Sequence, residues 1–271
     1  MPGSRSFITA GVLFITGLLL TATACASLFG AVPTRVPTVV PPTMTAMPTE
    51  TALPLYQQVV LQSAPYQEQG EPFGYTVKAQ VPVLVGSQDP RVSNFNAEMK
   101  ALVDNTIAAF KQNLANLPLT PESTASTFDL HYNVLSPPGS MISIKFDIQT
   151  YYSGAAHPGD VSQTITYDLQ AGRDVALGDL FIPNADFLTA VSKYCVAQLN
   201  TRDIGFQGFE LGATATLQNY RNWNITSDGL MITFDEYQVA PYAAGPQTII
   251  IPYKALAPLI RANGPLAGFV R

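Results

Sequence analysis

The chain has 271 residues, with 14 lysines and arginines against 19 aspartates and glutamates, and a net charge of −5. This acidic balance, without any Lys/Arg cluster to neutralise phosphates, excludes a nucleic-acid partner. Two cysteines cannot make a disulfide framework, and the sequence contains no Cys-x-x-Cys, Gly-x-Ser-x-Gly or phosphate loop.

Residues 1–24 read as a signal peptide. Arg5 supplies a thin positive region, and the apolar run Phe7 to Ala24 ends in the small residues Ala22-Thr23-Ala24 before Cys25. Two processing chemistries fit. In one, Cys25 takes a diacylglycerol thioether, which would place the protein on the extracytoplasmic face of the cell membrane through a lipid anchor. In the other, Ala22-x-Ala24 is an ordinary cleavage site. The first is preferred, because a cysteine at that bond is otherwise a coincidence, although lipoprotein signals most often carry leucine where Ala22 stands. An uncleaved anchor fits poorly, since about 18 residues barely span a bilayer and many here are Gly, Ala and Thr. Residues 25–54 then change to Pro and Thr, as in Val32-Pro33-Thr34 and Met47-Pro48-Thr49. Proline fixes φ and lacks an amide donor, so this segment is a tether, extending up to about 90 Å at roughly 3.1 Å per residue.

The remainder, Leu55 to Arg271, is long enough for a sizeable core. The pattern predicts an α+β fold of antiparallel sheets with two main packed helices, in halves at 55–152 and 153–271. Phe73 to Leu84 alternates as a half-buried strand. From Ser93, placed as an N-cap, Phe95, Met99, Leu102, Val103, Ile107, Phe110 and Leu114 follow helical spacing. Phe128 to Val134 and Ile142 to Ile148 read as a hairpin through Ser136-Pro137-Pro138-Gly139. A strand at Val161 to Leu169 precedes a helix from Asn184 to Leu199 that buries Leu188, Val191, Cys195 and Leu199. Strands at Leu230 to Phe234 and Thr248 to Ile251, then a short helix near Ala255 to Arg261, close the chain.

Several short runs stand out: Gly154-Ala155-Ala156-His157-Pro158, Tyr167-Asp168-Leu169 with Gly172, Leu177-Gly178-Asp179-Leu180-Phe181, and Asp228-Gly229-Leu230. Phe234 with Tyr237 to Tyr242 and Gly245, and Ile251-Pro252-Tyr253, continue the series. In order and spacing these resemble the paired extracellular domains of unknown function in RsiV-like anti-sigma-V factors. They are similar also to the non-catalytic region of PdaC-type peptidoglycan deacetylases. The resemblance covers Leu55 to Arg261 and is stronger in its second half; Ala155 departs from the two glycines often seen before Ala-His. It implies an α+β fold at the cell envelope and, in the anti-sigma members, recognition of lysozyme. Only Met1 to Ser6 precede the apolar run, so anti-sigma signalling is not expected. Deacetylation would need a further domain with an Asp/His/His metal site, whereas the chain holds only His131 and His157, so neither a metal nor a cofactor is expected.

The candidate binding residues are Tyr151, Tyr152, His157, Tyr237 and Tyr242, since tyrosines with one apolar side and one polar tip suit protein or glycan contacts. Core filling at strand ends is the equally weighted alternative for each tyrosine. His157 has no second histidine in its loop and reads as a structural imidazole bonded to backbone, its removal stranding a buried partner. His131 falls on the polar side of its strand. Asp235 and Glu236, adjacent on extended chain, point to opposite faces, and Asp168 and Asp179 read as caps of backbone amides. Cys195 reads as a free core thiol. The expected function is a surface-tethered binding or sensing module without catalytic residues, its partner lysozyme, another basic envelope protein, or peptidoglycan. The alternative is a cell-wall glycan-directed enzyme using His157 with Asp160 or Asp168.

Overall fold

The computed structural model describes residues 52–70, 74–118 and 124–269; Cys25, the signal peptide and nearly all of the tether lie outside them. Two sheets organise the domain. The first has six strands in sequential order: β1 (Val60–Gly70), β2 (Tyr75–Val85), β3 (Ser126–Val134), β4 (Met141–Tyr151), β5 (Gly159–Asp168) and the two-residue β6 (Arg173–Asp174). The second is an antiparallel trio, β7 (Trp223–Ile225), β8 (Leu230–Phe234) and β9 (Gln247–Ile251). The architecture is α+β as expected, with one departure: β2 and β3 run parallel. Parallel neighbours need a crossover, and the long helix α2 (Pro90–Ala115) supplies it, following the short α1 (Leu55–Gln58).

Helix α2 starts earlier than expected. Asp89 is the N-cap, its carboxylate accepting from Arg91 N, and Pro90 occupies the first turn, so Ser93 lies inside the helix. Val92, Phe95, Met99, Val103, Ile107 and Phe110 recur every three or four residues and are all buried. They close over Val77, Ala79, Phe128, Leu130, Ile144, Phe146 and Ile148, the alternate residues of β2, β3 and β4, to make the first core. Asn96 stitches the helix to the end of β2, accepting from Leu84 N at 2.7 Å and donating to Leu84 O at 2.9 Å.

The second core gathers Val191, Cys195 and Leu199 of α3 (Phe187–Leu199) with Ile225, Ile232, Phe234, Ile249 and Ile251. Helix α3 starts later than the expected Asn184: Asp186 caps it, and Asn184 sits at φ 65°, outside the helical region. Burial pushes the free Cys195 thiol up to about 12, so it stays protonated and behaves as a small apolar group. The last helix, α4, is Tyr253–Leu256, shorter and earlier than the sequence predicts.

The second sheet docks on the polar face of the first. Ser143, fully buried on β4, accepts from Asn224 Nδ2 and Ile225 N, each at 3.0 Å, and shares a 2.8 Å bond with Thr166. Thr164 accepts from Trp223 N at 3.0 Å, and Asp235 Oδ1 accepts from Ser162 N at 2.8 Å. Hydroxyls and amides therefore join the two sheets where apolar contacts would otherwise be expected, although Asn224 Oδ1 and the Thr233 hydroxyl are buried without a partner among the described residues.

Candidate functional site

Three of the five expected binding residues converge. After β4 the chain turns through Gly154, at φ 86°, a backbone state that glycine adopts without penalty. This brings His157 beside Tyr242, the ring centroids 3.8 Å apart and the planes inclined by 26°. Tyr237 also stacks on Tyr242, at 5.9 Å and again inclined by 26°. The result is a ladder of rings, His157–Tyr242–Tyr237, assembled from segments some 80 residues apart. The Tyr242 hydroxyl donates to Pro158 O at 3.2 Å and so ties the two loops together. Tyr237 is 56% exposed and holds φ 63°, a left-handed state that costs a non-glycine residue about 1–3 kcal/mol.

His157 is exposed, and its Nδ1 lies 2.7 Å from Pro158 O. The imidazole is thus held by backbone, as expected, but no buried partner depends on it. Tyr151 and Tyr152 stand elsewhere. Tyr151 pairs with Thr127 at the end of β4, while the Tyr152 ring packs 5.4 Å from Phe110 at the margin of the first core.

Beside the ladder, the exposed part of the polar sheet face forms a cleft of about 390 Å³. Its walls are Asp129, His131, Asp147, Gln149, Asp160 and Ser162. Pro246, four residues beyond Tyr242, also lines it. Strand register creates this grouping: Asp129, Gln149 and Asp160 lie in one row across β3, β4 and β5, and His131, Asp147 and Ser162 in the next. Gln149 Nε2 donates to Asp160 Oδ1 at 3.0 Å; Asp147 accepts from Asn133 at 3.0 Å and pairs with Lys145. Glu236 Oε2 accepts from Asp160 N at 3.1 Å, anchoring the segment that carries Tyr237 to the cleft rim. Partial burial, then the carboxylates Glu236 and Asp160, push the Tyr242 phenol upward.

Asp235, Asp168 and Asp179 have structural partners. Asp235 accepts from Arg221 Nη2 at 2.6 Å and from Asn222 Nδ2 at 3.1 Å, in addition to Ser162 N. Asp168 caps Gln170 N and Ala171 N, and Asp179 accepts from Ala176 N. Among the described residues no group of three or more His, Cys, Asp or Glu side chains is placed to hold a metal ion. Sequence reasoning missed Asp129, Asp147 and Gln149 as cleft residues, because each reads alone as an ordinary outward-facing polar residue. The available signal was acidic residues at outward positions of three successive strands.

The aromatic ladder and the polar cleft are carried on one mixed α+β scaffold. Residues 178–254, containing Tyr237 and Tyr242, match the family "Protein of unknown function (DUF3298)". The chain is 23% identical over 195 residues to the peptidoglycan-N-acetylmuramic acid deacetylase PdaC of Bacillus subtilis, covering 71% of this chain and 40% of that protein. It thus spans about two fifths of the relative's length, and the likeness to that enzyme's non-catalytic region stands. Two solved structures of DUF3298 proteins share the fold. One, from Bacteroides fragilis, has a TM-score of 0.60 at 15% identity, covering 79% of this chain and 97% of that one. The other, from Pseudomonas aeruginosa, has a TM-score of 0.50 at 17% identity, covering 76% and 94%.

Proposed function

We propose that this protein is an extracytoplasmic binding module of the cell envelope, held at the membrane through lipid on Cys25 and presented on the Pro/Thr tether. The carrying observation is the His157–Tyr242–Tyr237 ladder, tied to Asp160 of the polar cleft through Glu236. Rigid aromatic faces give large contact area at little entropic cost, and such residues dominate binding energy at contacts. The net charge of −5 favours a basic partner, for which c-type lysozyme is the candidate, and the match to a peptidoglycan deacetylase supports a cell-wall setting. The mechanism is capture or occlusion at the surface. A non-catalytic role is supported by the contacts of His157, which sits against Tyr242 and Pro158 O with no carboxylate in hydrogen-bond reach among the described residues.

Surface binding of the purified protein to c-type lysozyme and to peptidoglycan fragments tests the reading. Binding at micromolar concentration, with an off-rate raised by Tyr242→Ala, is the expected result. No interaction with either at tens of micromolar in low salt overturns it. Acyl chains contribute about 0.8 kcal/mol per buried CH₂, so a lipidated Cys25 holds the protein firmly on a membrane. Cys25→Ser should abolish labelling by a fatty-acid analogue, and equal labelling of both proteins removes the anchor.

A further inference from the structure

We propose that the cleft and its ladder form a binding site for an amine-bearing glycan, a strand of hexosamine units whose amino groups are not acylated. This assignment rests on the binding-module reading above and specifies its ligand.

Three independent features point to that chemistry. The first is the exposed ring of Tyr237, stacked on Tyr242. An aromatic face takes either the apolar face of a sugar ring or a cation, and a protonated amino sugar presents both. The second is Ser162. The residue is only 6% exposed, it lines the cleft, and its hydroxyl has no hydrogen-bond partner among the described residues, its backbone amide alone being engaged by Asp235. A nearly buried hydroxyl left open to a cleft is matched by a hydroxylated ligand that reaches the floor.

The third is how the charge is distributed. Asp147 is paired with Lys145, and Lys78 is in register with Asp129, so cations of the protein balance the far end of the cleft. At the ladder end Asp160 and Glu236 form no ion pair among the described residues. Carboxylate charge and tyrosine faces therefore coincide in one place, where an ammonium is favoured by both. An N-acetylated sugar would put a neutral amide there and leave the Asp160 charge with Gln149 Nε2 as its side-chain donor and no cation.

Calorimetry of the protein with the β-1,4-linked glucosamine tetramer and with its fully N-acetylated counterpart, at low salt and mildly acidic pH, tests the assignment. The amine form should bind about tenfold more tightly, the scale of one charge-assisted hydrogen bond. Asp160→Asn should reduce that preference to about threefold or less. Tyr237→Asn, which removes the ring but suits the left-handed backbone, should weaken both tetramers. Thermal melts of both variants alongside the wild type establish that each is folded, and Asp160→Asn, nearly isosteric, remains decisive if Tyr237→Asn is not. Equal affinity for the two tetramers, or a preference unchanged in Asp160→Asn, overturns the proposal. Binding of c-type lysozyme without any response to either tetramer overturns the amino-glycan assignment while the binding-module reading survives; silence toward all three overturns both.

Discussion

The six-stranded sheet has two faces made by the same strands, and they are put to opposite uses. On one face Val77, Leu130, Ile144, Phe146 and Ile148 vanish beneath α2. On the other, Ser143 and Thr164 dock the second sheet by hydrogen bonds, Thr166 bonds to Ser143, and Asp129, Asp147, Gln149 and Asp160 are left facing the cleft. Strict alternation along a strand commits each residue to one face, so a single register fixes both the core and the site. The apolar face tolerates little change because its packing is close to crystalline, whereas the polar face has surface freedom except where it is covered.

The sharpest way to break this contrast is to cut both faces of one strand. Phe146→Ala, emptying a fully buried position, should destabilise by about 3–5 kcal/mol in denaturant unfolding. Gln149→Ala, three residues along β4 but on the cleft face, should stay within about 0.5 kcal/mol. Comparable losses at the two positions would mean that the cleft face carries stability not visible in its contacts. A second, smaller effect belongs to the docked part of the polar face. Ser143→Ala removes the acceptor of Asn224 Nδ2 and Ile225 N, leaving a buried donor unsatisfied at about 1–3 kcal/mol. A loss below about 0.5 kcal/mol would show that the interface readily finds other partners.

The apolar face was legible in the sequence because burial writes period 2 into β4 and period 3.6 into α2. Strand β1 was not, since its run Val60-Leu61-Gln62-Ser63-Ala64-Pro65-Tyr66-Gln67 lies at a sheet edge, mostly exposed, with no apolar face to mark it. Nor was β7, three residues long and held by side-chain hydrogen bonds. The parallel pairing of β2 with β3 is a property of the crossover and leaves no local pattern. The ladder residues were visible singly, through their loop chemistry, but the stacking of His157 on Tyr242 depends on a long-range approach that no spacing encodes. The cleft required the register of three strands, which is set only when the hairpins form.

A pH series sharpens the contrast at the sheet's margin, where α2 packs over β6. Burial, and then the Asp174 carboxylate, push the Glu98 carboxyl from its ordinary 4.5 up to about 8. The folded state thus holds this proton more tightly than the unfolded chain. Its contribution is complete below about 4.5 and is lost as pH rises through about 8. The wild-type melting temperature should decline across that window more steeply than that of Glu98→Gln, whose side chain cannot titrate. Parallel profiles for the two proteins would remove Glu98 as the cause.

The smallest effect on stability is expected at the ladder, where His157 meets both solvent and Tyr242. The sequence alone suggested a buried partner whose loss would cost about 1–3 kcal/mol. The imidazole is exposed, and its acceptor, Pro158 O, also receives the Tyr242 hydroxyl, so His157→Ala leaves that carbonyl bonded. The melting temperature should therefore fall by no more than about 2 °C, the shift that roughly half a kcal/mol produces in a domain of this size. Binding should respond differently. Without the imidazole, Tyr242 loses the ring stacked on it at 3.8 Å, and a ladder that makes contact should release its ligand faster while associating at an unchanged rate. Off-rates of wild type and His157→Ala, measured against whichever ligand binds, separate the possibilities. A raised off-rate with an intact melting temperature assigns the ladder to recognition, and a lowered melting temperature with unchanged binding returns His157 to the structure of its loop.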